Sequence, residues 1–177
     1  MFSSILVATD GSGPASNALK ISIELASKFS ASLTVVHVLT HDHPSEEIER
    51  MIETEHLDQR HNPTVPVLTA DGSRIAELSS RRDMLRSGDR EARVITVIGE
   101  QILKRAEQDA RAAGVEDVTI RLLNDEYANG ILAAANACHA DIIVMGRRGL
   151  SRLQGFVTGS VSHKVSQRAS CSVLTVK

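Results

Sequence analysis

A chain of 177 residues, 42% hydrophobic and 24% charged, is long enough for one domain with an ordinary buried core. A net charge of −2 gives no electrostatic footprint for nucleic acid, and 2% aromatics with no Trp leave no stacking platform for single strands. No apolar run approaches the roughly 20 residues of a membrane span, and Phe2-Ser3-Ser4 lacks the basic start of a signal peptide, so a cytoplasmic protein is expected.

The first apolar run, Ile5-Leu6-Val7-Ala8, ends in Thr9-Asp10-Gly11-Ser12. A short continuous run bounded by turn residues reads as a strand buried on both faces, as in a parallel sheet. Ala15, Ala18, Leu19, Ser22, Leu25, Ala26 and Phe29 then recur at steps of three and four, the stripe of an amphipathic helix. Leu33-Thr34-Val35-Val36-His37-Val38 is a second buried strand, which makes a βαβ unit with a right-handed crossover.

Residues 40–96 break this alternation and read as a surface insertion within a single domain spanning 1–177. A charged helical stretch near Glu46–Leu57 precedes Pro63, Pro66 and Asp71-Gly72, which suggest turns around a small hairpin from Val65 to Leu78. A connection of this length is usually functional or mobile rather than core. His37, His41 and His43 are spaced like metal ligands, but the loop offers neither a cysteine nor a carboxylate set, and no dedicated metal site is expected.

The alternation then resumes. Ile98, Ile102, Leu103, Ala106, Ala110 and Ala113 form a helical stripe closed by Gly114. Val118–Leu123 is a strand, Ile131, Leu132, Ala135 and Cys138 mark a helix, and Ile142–Met145 is the next strand. Val161, Val165 and Ala169 mark a last helix before the strand Val173–Val176. Five strands alternating with four helices predict a doubly wound α/β sheet. Cys138 on a helix and Cys171 at a strand entry have no metal-ligand spacing and read as buried thiols.

Chemistry concentrates between the fourth strand and the last helix. Gly146, Gly149, Gly155 and Gly159 permit positive φ or close backbone approach, and Ser160 can cap the helix or bind a phosphate oxygen. Arg147, Arg148 and Arg152 add positive charge, although Arg147 can equally be a solvated side chain. A strand end feeding a helix N-terminus suits an anion, worth roughly 0.3–1 kcal/mol per exposed charge. The same glycines can also make only a tight turn. There is no Gly-Lys-[Ser/Thr] for a Walker A loop and no G-x-G-x-x-G for a dinucleotide.

Gly146-x2-Gly149, nine residues and then Gly159-Ser160 resembles the nucleotide-binding pattern G-x2-G-x9-G-[ST] of the universal stress protein family. Val7-Ala8-Thr9-Asp10-Gly11-Ser12, Val36-His37-Val38 and Cys171–Val176 extend the resemblance over most of the chain outside the insertion. It implies a Rossmann-like five-stranded parallel sheet in order 3-2-1-4-5, with the insertion after strand two. In that order strands one and four are neighbours at the switch point, where such sheets bind ligands. It further implies that Ala8, Thr9, Asp10, Val38 and Met145 surround adenine and ribose, while Gly146, Arg148, Gly149, Gly159, Ser160 and Val161 hold ribose and phosphates. Read from their own chemistry, Met145 is equally a core residue and Asp10 equally the acceptor of an Asx-turn.

The ligand implied is ATP, or AMP or ADP, with Mg2+ on its phosphates. The function implied is stress response or signalling by a nucleotide-dependent homodimer paired through the C-terminal strand, with no nucleic-acid or membrane partner and no identifiable downstream protein. The alternatives are a slow ATPase or nucleotidyl-transfer enzyme on a similar fold, and a dimerisation module without nucleotide. Only a phosphate cradle is visible and no general base, so no catalytic residue is assigned and turnover is expected to be slow or absent. Where the family commonly has a glycine after the third strand, this chain has Asn124-Asp125-Glu126, whose carboxylates are expected to repel phosphate.

Overall fold

The computed structural model describes residues 2–39, 67–68, 90–149 and 159–177. In chain order these form β1 (Ser4–Ala8), α1 (Gly13–Phe29), β2 (Ser32–Leu39), β3 (Val67–Leu68), α2 (Arg90–Ala112), β4 (Val118–Asn124), α3 (Tyr127–Ala137), β5 (Ile142–Gly146), α4 (Ser160–Arg168) and β6 (Ser172–Val176). All strand pairs are parallel, in the order β3-β4-β2-β1-β5-β6. The five longer strands thus have the order 3-2-1-4-5, a doubly wound Rossmann-like sheet.

Alternation along each strand builds two cores. Ile5 and Val7 of β1, Leu33 and Val35 of β2 and Leu122 of β4 face Ala18, Ile23 and Ala26 of α1 and Leu103, Ala106 and Ala110 of α2. Leu6 and Ala8, Val36 and Val38, and Ile143 and Met145 form the other cluster with Ala128, Ile131, Ala134 and Ala135 of α3 and Val165 of α4. Helices on both faces explain why the strands read as continuous apolar runs. Small alanines at the helix contacts let the helices lie close to the sheet, consistent with a chain so poor in aromatics.

Val67–Leu68 forms a short strand that pairs parallel with β4, Val67 with Leu122 and Leu68 with Leu123, and the rest of the hairpin expected from Val65 to Leu78 lies outside the described residues. Two local expectations are corrected. The helix of the second half starts at Arg90, so residues 90–96 belong to the β4-side crossover rather than to the surface insertion. In α1 the buried stripe includes Ile23, while Leu25 is only half-buried. The helical stretch near Glu46–Leu57, together with His41 and His43, lies outside the described residues. Gly114 does close α2, at φ 86°.

The winding reverses between β1 and β5. Their register sets Ala8 beside Met145, and β2 flanks β1 on the other side with Ala8 beside Val36. The carboxyl ends of β1, β2 and β5 therefore finish together beneath the N-termini of α1 and α4.

Candidate functional site

The β1 end is a tightly bonded turn. The Thr9 N–H donates to the Val36 carbonyl at 2.9 Å, which carries strand pairing one residue past β1. The Asp10 Oδ1 accepts from the Ser12 N–H at 3.0 Å, an Asx-turn, and the Thr9 hydroxyl oxygen accepts from the Gly11 N–H at 3.3 Å. Gly11 sits at φ 81°, and Ile102 of α2 lies where its side chain would project, so both backbone and space call for glycine. Ser12 is the N-cap of α1: its hydroxyl accepts from the Ala15 N–H at 3.4 Å, and proline follows in the first turn.

Beneath this turn lies a histidine whose role was not legible in the sequence. The His37 Nδ1–H donates to the Thr9 carbonyl at 2.8 Å. Gly99 of α2 makes room for the ring: a Cβ there would fall 2.8 Å from the His37 Cδ2 and 2.9 Å from the Leu122 Cδ1. Burial pushes the imidazole below its ordinary value near 6.5, partly opposed by the Thr9 hydrogen bond and the Asp10 carboxylate. A neutral ring with its proton on Nδ1 therefore supports the last carbonyl of the site's first strand.

The β5 end is built from glycines, and the reason is proximity. Among the described residues only Gly11 and Gly114 are glycines at positive φ; Gly146, Gly149 and Gly159 are not. A Cβ at Gly146 would lie 2.9 Å from the Arg148 carbonyl oxygen and 3.0 Å from the Ala15 nitrogen, so this glycine brings β5 against the start of α1. A Cβ at Gly149 would collide with the Asp10 carboxylate, and one at Gly159 would lie 3.0 Å from the Arg147 carbonyl oxygen. The Arg147 carbonyl pins both ends of the connection: it accepts from the Gly159 N–H at 3.0 Å and from the Ser162 hydroxyl at 2.8 Å. Arg147 also anchors the last strand, its N–H donating to the Val176 carbonyl at 2.6 Å.

The expectation that Ser160 caps α4 is corrected. Gly159, extended at φ −70° and ψ 150°, is the N-cap and brings no side chain to accept from the first turn, and Ser160 is the first helical residue. The buried hydroxyl is that of Ser162, whose single proton is shared between the Arg147 carbonyl and the Gly159 carbonyl at 3.0 Å, and nothing in the sequence separated it from its serine neighbours. Backbone N–H groups of a first helical turn have no partners within the helix, so α4 presents its positive end without a cap of its own.

Ala8, Val38 and Met145 belong to the cluster beneath α3 and α4, at 9%, 8% and 5% exposure, with Val161 packed at its margin. Their core role is thus plain, and their place at three adjacent strand ends puts them at the floor of the crevice. Gly130 of α3 approaches Val38, where a Cβ would stand 3.3 Å from both methyls. Arg148 and Gly149 are exposed, Gly146 half-buried. Gly155 and Arg152 lie outside the described residues.

The acidic loop after β4 is occupied otherwise than expected. Glu126 is the N-cap of α3, accepting from the Asn129 N–H at 3.1 Å, and its other oxygen pairs with Lys164 of α4 at 3.1 Å. Burial would raise its carboxyl, but Lys164 and the helix N–H groups outweigh that and hold it below the usual carboxylate range. Asp125 accepts from the Glu126 N–H at 2.6 Å. The Glu126 charge is balanced by Lys164, which weakens the case for its repulsion of a phosphate. Among the described residues no helix is long and apolar enough to cross a membrane, and no three His, Cys, Asp or Glu side chains gather as metal ligands.

A model of the universal stress protein family matches residues 1–177. The chain is 32% identical to universal stress protein YxiE of Bacillus subtilis, covering all of both chains. A solved structure of a universal stress protein in complex with cAMP superposes at a TM-score of 0.58 with 23% identity, over 99% of this chain and 97% of that one. The universal stress protein from Archaeoglobus fulgidus in complex with dAMP superposes at 0.55 with 21% identity, over 99% and 98%.

Proposed function

The chain belongs to the universal stress protein family, and from that premise we propose that it binds an adenine nucleotide, ATP or AMP or ADP, in the β1–β5 crevice and acts in stress response or signalling. The observation that carries this reading is the uncapped N-terminus of α4 facing a glycine-built β5 end, where any side chain at Gly149 would strike Asp10. The N–H groups of Ser160 and Val161 and the exposed Arg148 are the donors for phosphate, together with the backbone at Gly146, Gly149 and Gly159. Ala8, Val38 and Met145 offer apolar, polarisable surface to a purine, and Thr9 and Asp10 offer acceptors to ribose hydroxyls or an exocyclic amine. Two structural neighbours whose ligands are cAMP and dAMP support an adenylate as the class. Mg2+ would accompany a polyphosphate rather than occupy a site of its own.

Calorimetric titration of the full chain with ATP, ADP and AMP tests the reading. One saturable site per chain for at least one of them is expected, and no heat or displacement with any of the three at millimolar concentration would defeat it.

The assembly proposed is a twofold homodimer through β6. Among the described residues that strand ends the sheet order and pairs with β5 alone, and it leaves Leu174 36% exposed with no proline or inward charge along it. Open edges of this kind are usually covered or paired. Light scattering should give a dimer at tens of micromolar, and Leu174→Pro, which removes one ladder donor, should give a folded monomer. A wild-type monomer, or a folded variant dimer of unchanged affinity, argues against pairing at this edge.

A further inference from the structure

Both cysteines of the chain are free thiols, both are half-buried, and both pack against the margin of the same core cluster beneath α3 and α4. Cys138 is the C-cap of α3, its N–H donating to the Ala134 carbonyl at 3.1 Å and its own carbonyl accepting from the Ser4 hydroxyl at 2.9 Å. Cys171 immediately precedes β6, and since Ser172 pairs with Ile142, it runs beside Asp141, three positions after Cys138 in sequence. Two cross-links bracket the pair. On one side the Ser170 hydroxyl meets the Asn136 side chain at 3.3 Å, and on the other the Ser172 N–H donates to the Asp141 carbonyl at 3.3 Å. The backbones that carry the two thiols are thereby held side by side, on one face of the sheet.

We propose that Cys138 and Cys171 form an intramolecular, redox-responsive dithiol that closes to a disulfide when small-molecule disulfides accumulate. The Cys138 thiolate attacks one sulfur of the reagent disulfide, forming a mixed disulfide and releasing one thiol. The Cys171 thiolate then attacks the Cys138 sulfur and releases the second half of the reagent, so two electrons pass from the protein pair to the reagent, and the two protons lost by the protein thiols are taken up by the two leaving thiolates. The order follows from the environments: burial raises the Cys171 thiol above its ordinary value, and the neighbouring Cys138 adds to that, which makes Cys171 the poorer first nucleophile. Disulfides in a reducing compartment are typically transient and sensory, which suits an exchange of this kind. The ring so closed contains β5, the 146–160 connection and α4, so oxidation ties together the two ends of the segment that carries the candidate phosphate cradle. The inference stands whether or not that cradle binds a nucleotide.

The test is oxidised glutathione added to the folded full-length chain, followed by alkylation and intact-mass measurement. Expected are loss of both alkylatable thiols, a mass lower by two hydrogens, an unchanged subunit size on a non-reducing gel, a joined Cys138–Cys171 peptide, and full reversal by dithiothreitol. The Cys171→Ser variant should stop at a stable glutathione adduct on Cys138. Two thiols still alkylatable after the treatment, stable adducts on both cysteines of the wild type, or disulfides only between chains would each overturn the proposal.

Discussion

At the start of α1 the chain satisfies its own helix end: Ser12 accepts from the Ala15 N–H, Asp10 accepts from the Ser12 N–H, and proline removes a donor from the first turn. At the start of α4, opening on the same crevice, the cap is a glycine, which has no side chain to accept. A side-chain cap satisfies a donor of the first turn, whereas a glycine cap gives up only about a few tenths of a kcal/mol and supplies no side-chain acceptor of its own. Since α3 is capped as well, by Glu126, the exposed donors of α4 are an exception among the helix starts whose caps are described. That contrast, more than the glycine count, supports the proposal of a phosphate cradle over a tight turn.

The largest effect should come from making α4 resemble α1. Gly159→Asp places a capping carboxylate on the open N–H groups and negative charge at the positive helix end. It also forces the Arg147 carbonyl aside, since a Cβ at this position stands 3.0 Å from that oxygen. Nucleotide affinity should fall at least about 100-fold, roughly 2.7 kcal/mol, while far-ultraviolet circular dichroism stays that of the wild type. A folded variant of unchanged affinity by calorimetry would remove α4 from the binding reading altogether.

The converse change should separate stability from binding. Ser12→Ala strips the cap from α1 and should cost about 0.5–1 kcal/mol in urea unfolding, at the low end of capping energies because the bond is long. Nucleotide affinity should change less than about threefold, about 0.65 kcal/mol. A large loss of affinity with little loss of stability would mean that the α1 end, not the α4 end, receives the anion.

Much of this contrast could be read from residues alone, and the remainder could not for identifiable reasons. Continuous apolar runs marked β1, β2 and β5, because strands covered on both faces tolerate little polar alternation, whereas β4 carries Thr119 and Arg121 and β6 is largely exposed. The glycine spacing located the β5–α4 connection, but spacing does not distinguish a glycine needed for φ from one needed for proximity. Only the approach of Gly146 to Ala15 and of Gly149 to Asp10 decides that. Of the two roles offered for Ser160, capping missed by one residue, since glycine and serine are both acceptable caps and the sequence places them in succession. The parallel pairing of Val67–Leu68 with β4 had no signal in the residues, because two apolar residues carry no information about strand direction. His37 drew attention as a metal ligand through its spacing to His41 and His43, whereas its partner, the Thr9 carbonyl, is a backbone group with no sequence signature.

That histidine supplies the smallest and most specific expectation, because it supports the capped side alone. Burial lowers its pKa in the folded chain relative to about 6.5 in the unfolded one. Between the folded and unfolded values the unfolded chain binds the additional proton, so stability rises with pH across that window. The contribution is complete above about 6.5 and is lost as pH falls toward the folded value. His37→Asn retains a donor for the Thr9 carbonyl and cannot titrate, so the variant should lose part of the acid-side decline. Urea midpoints of both proteins at about pH 7.5 and 5.5, bracketing the unperturbed value, measure this as a difference of differences that cancels the other six histidines of the seven. A larger acid-side decline in the variant than in the wild type would mean that His37 is charged in the fold and that its hydrogen bond to Thr9, not its burial, governs its titration.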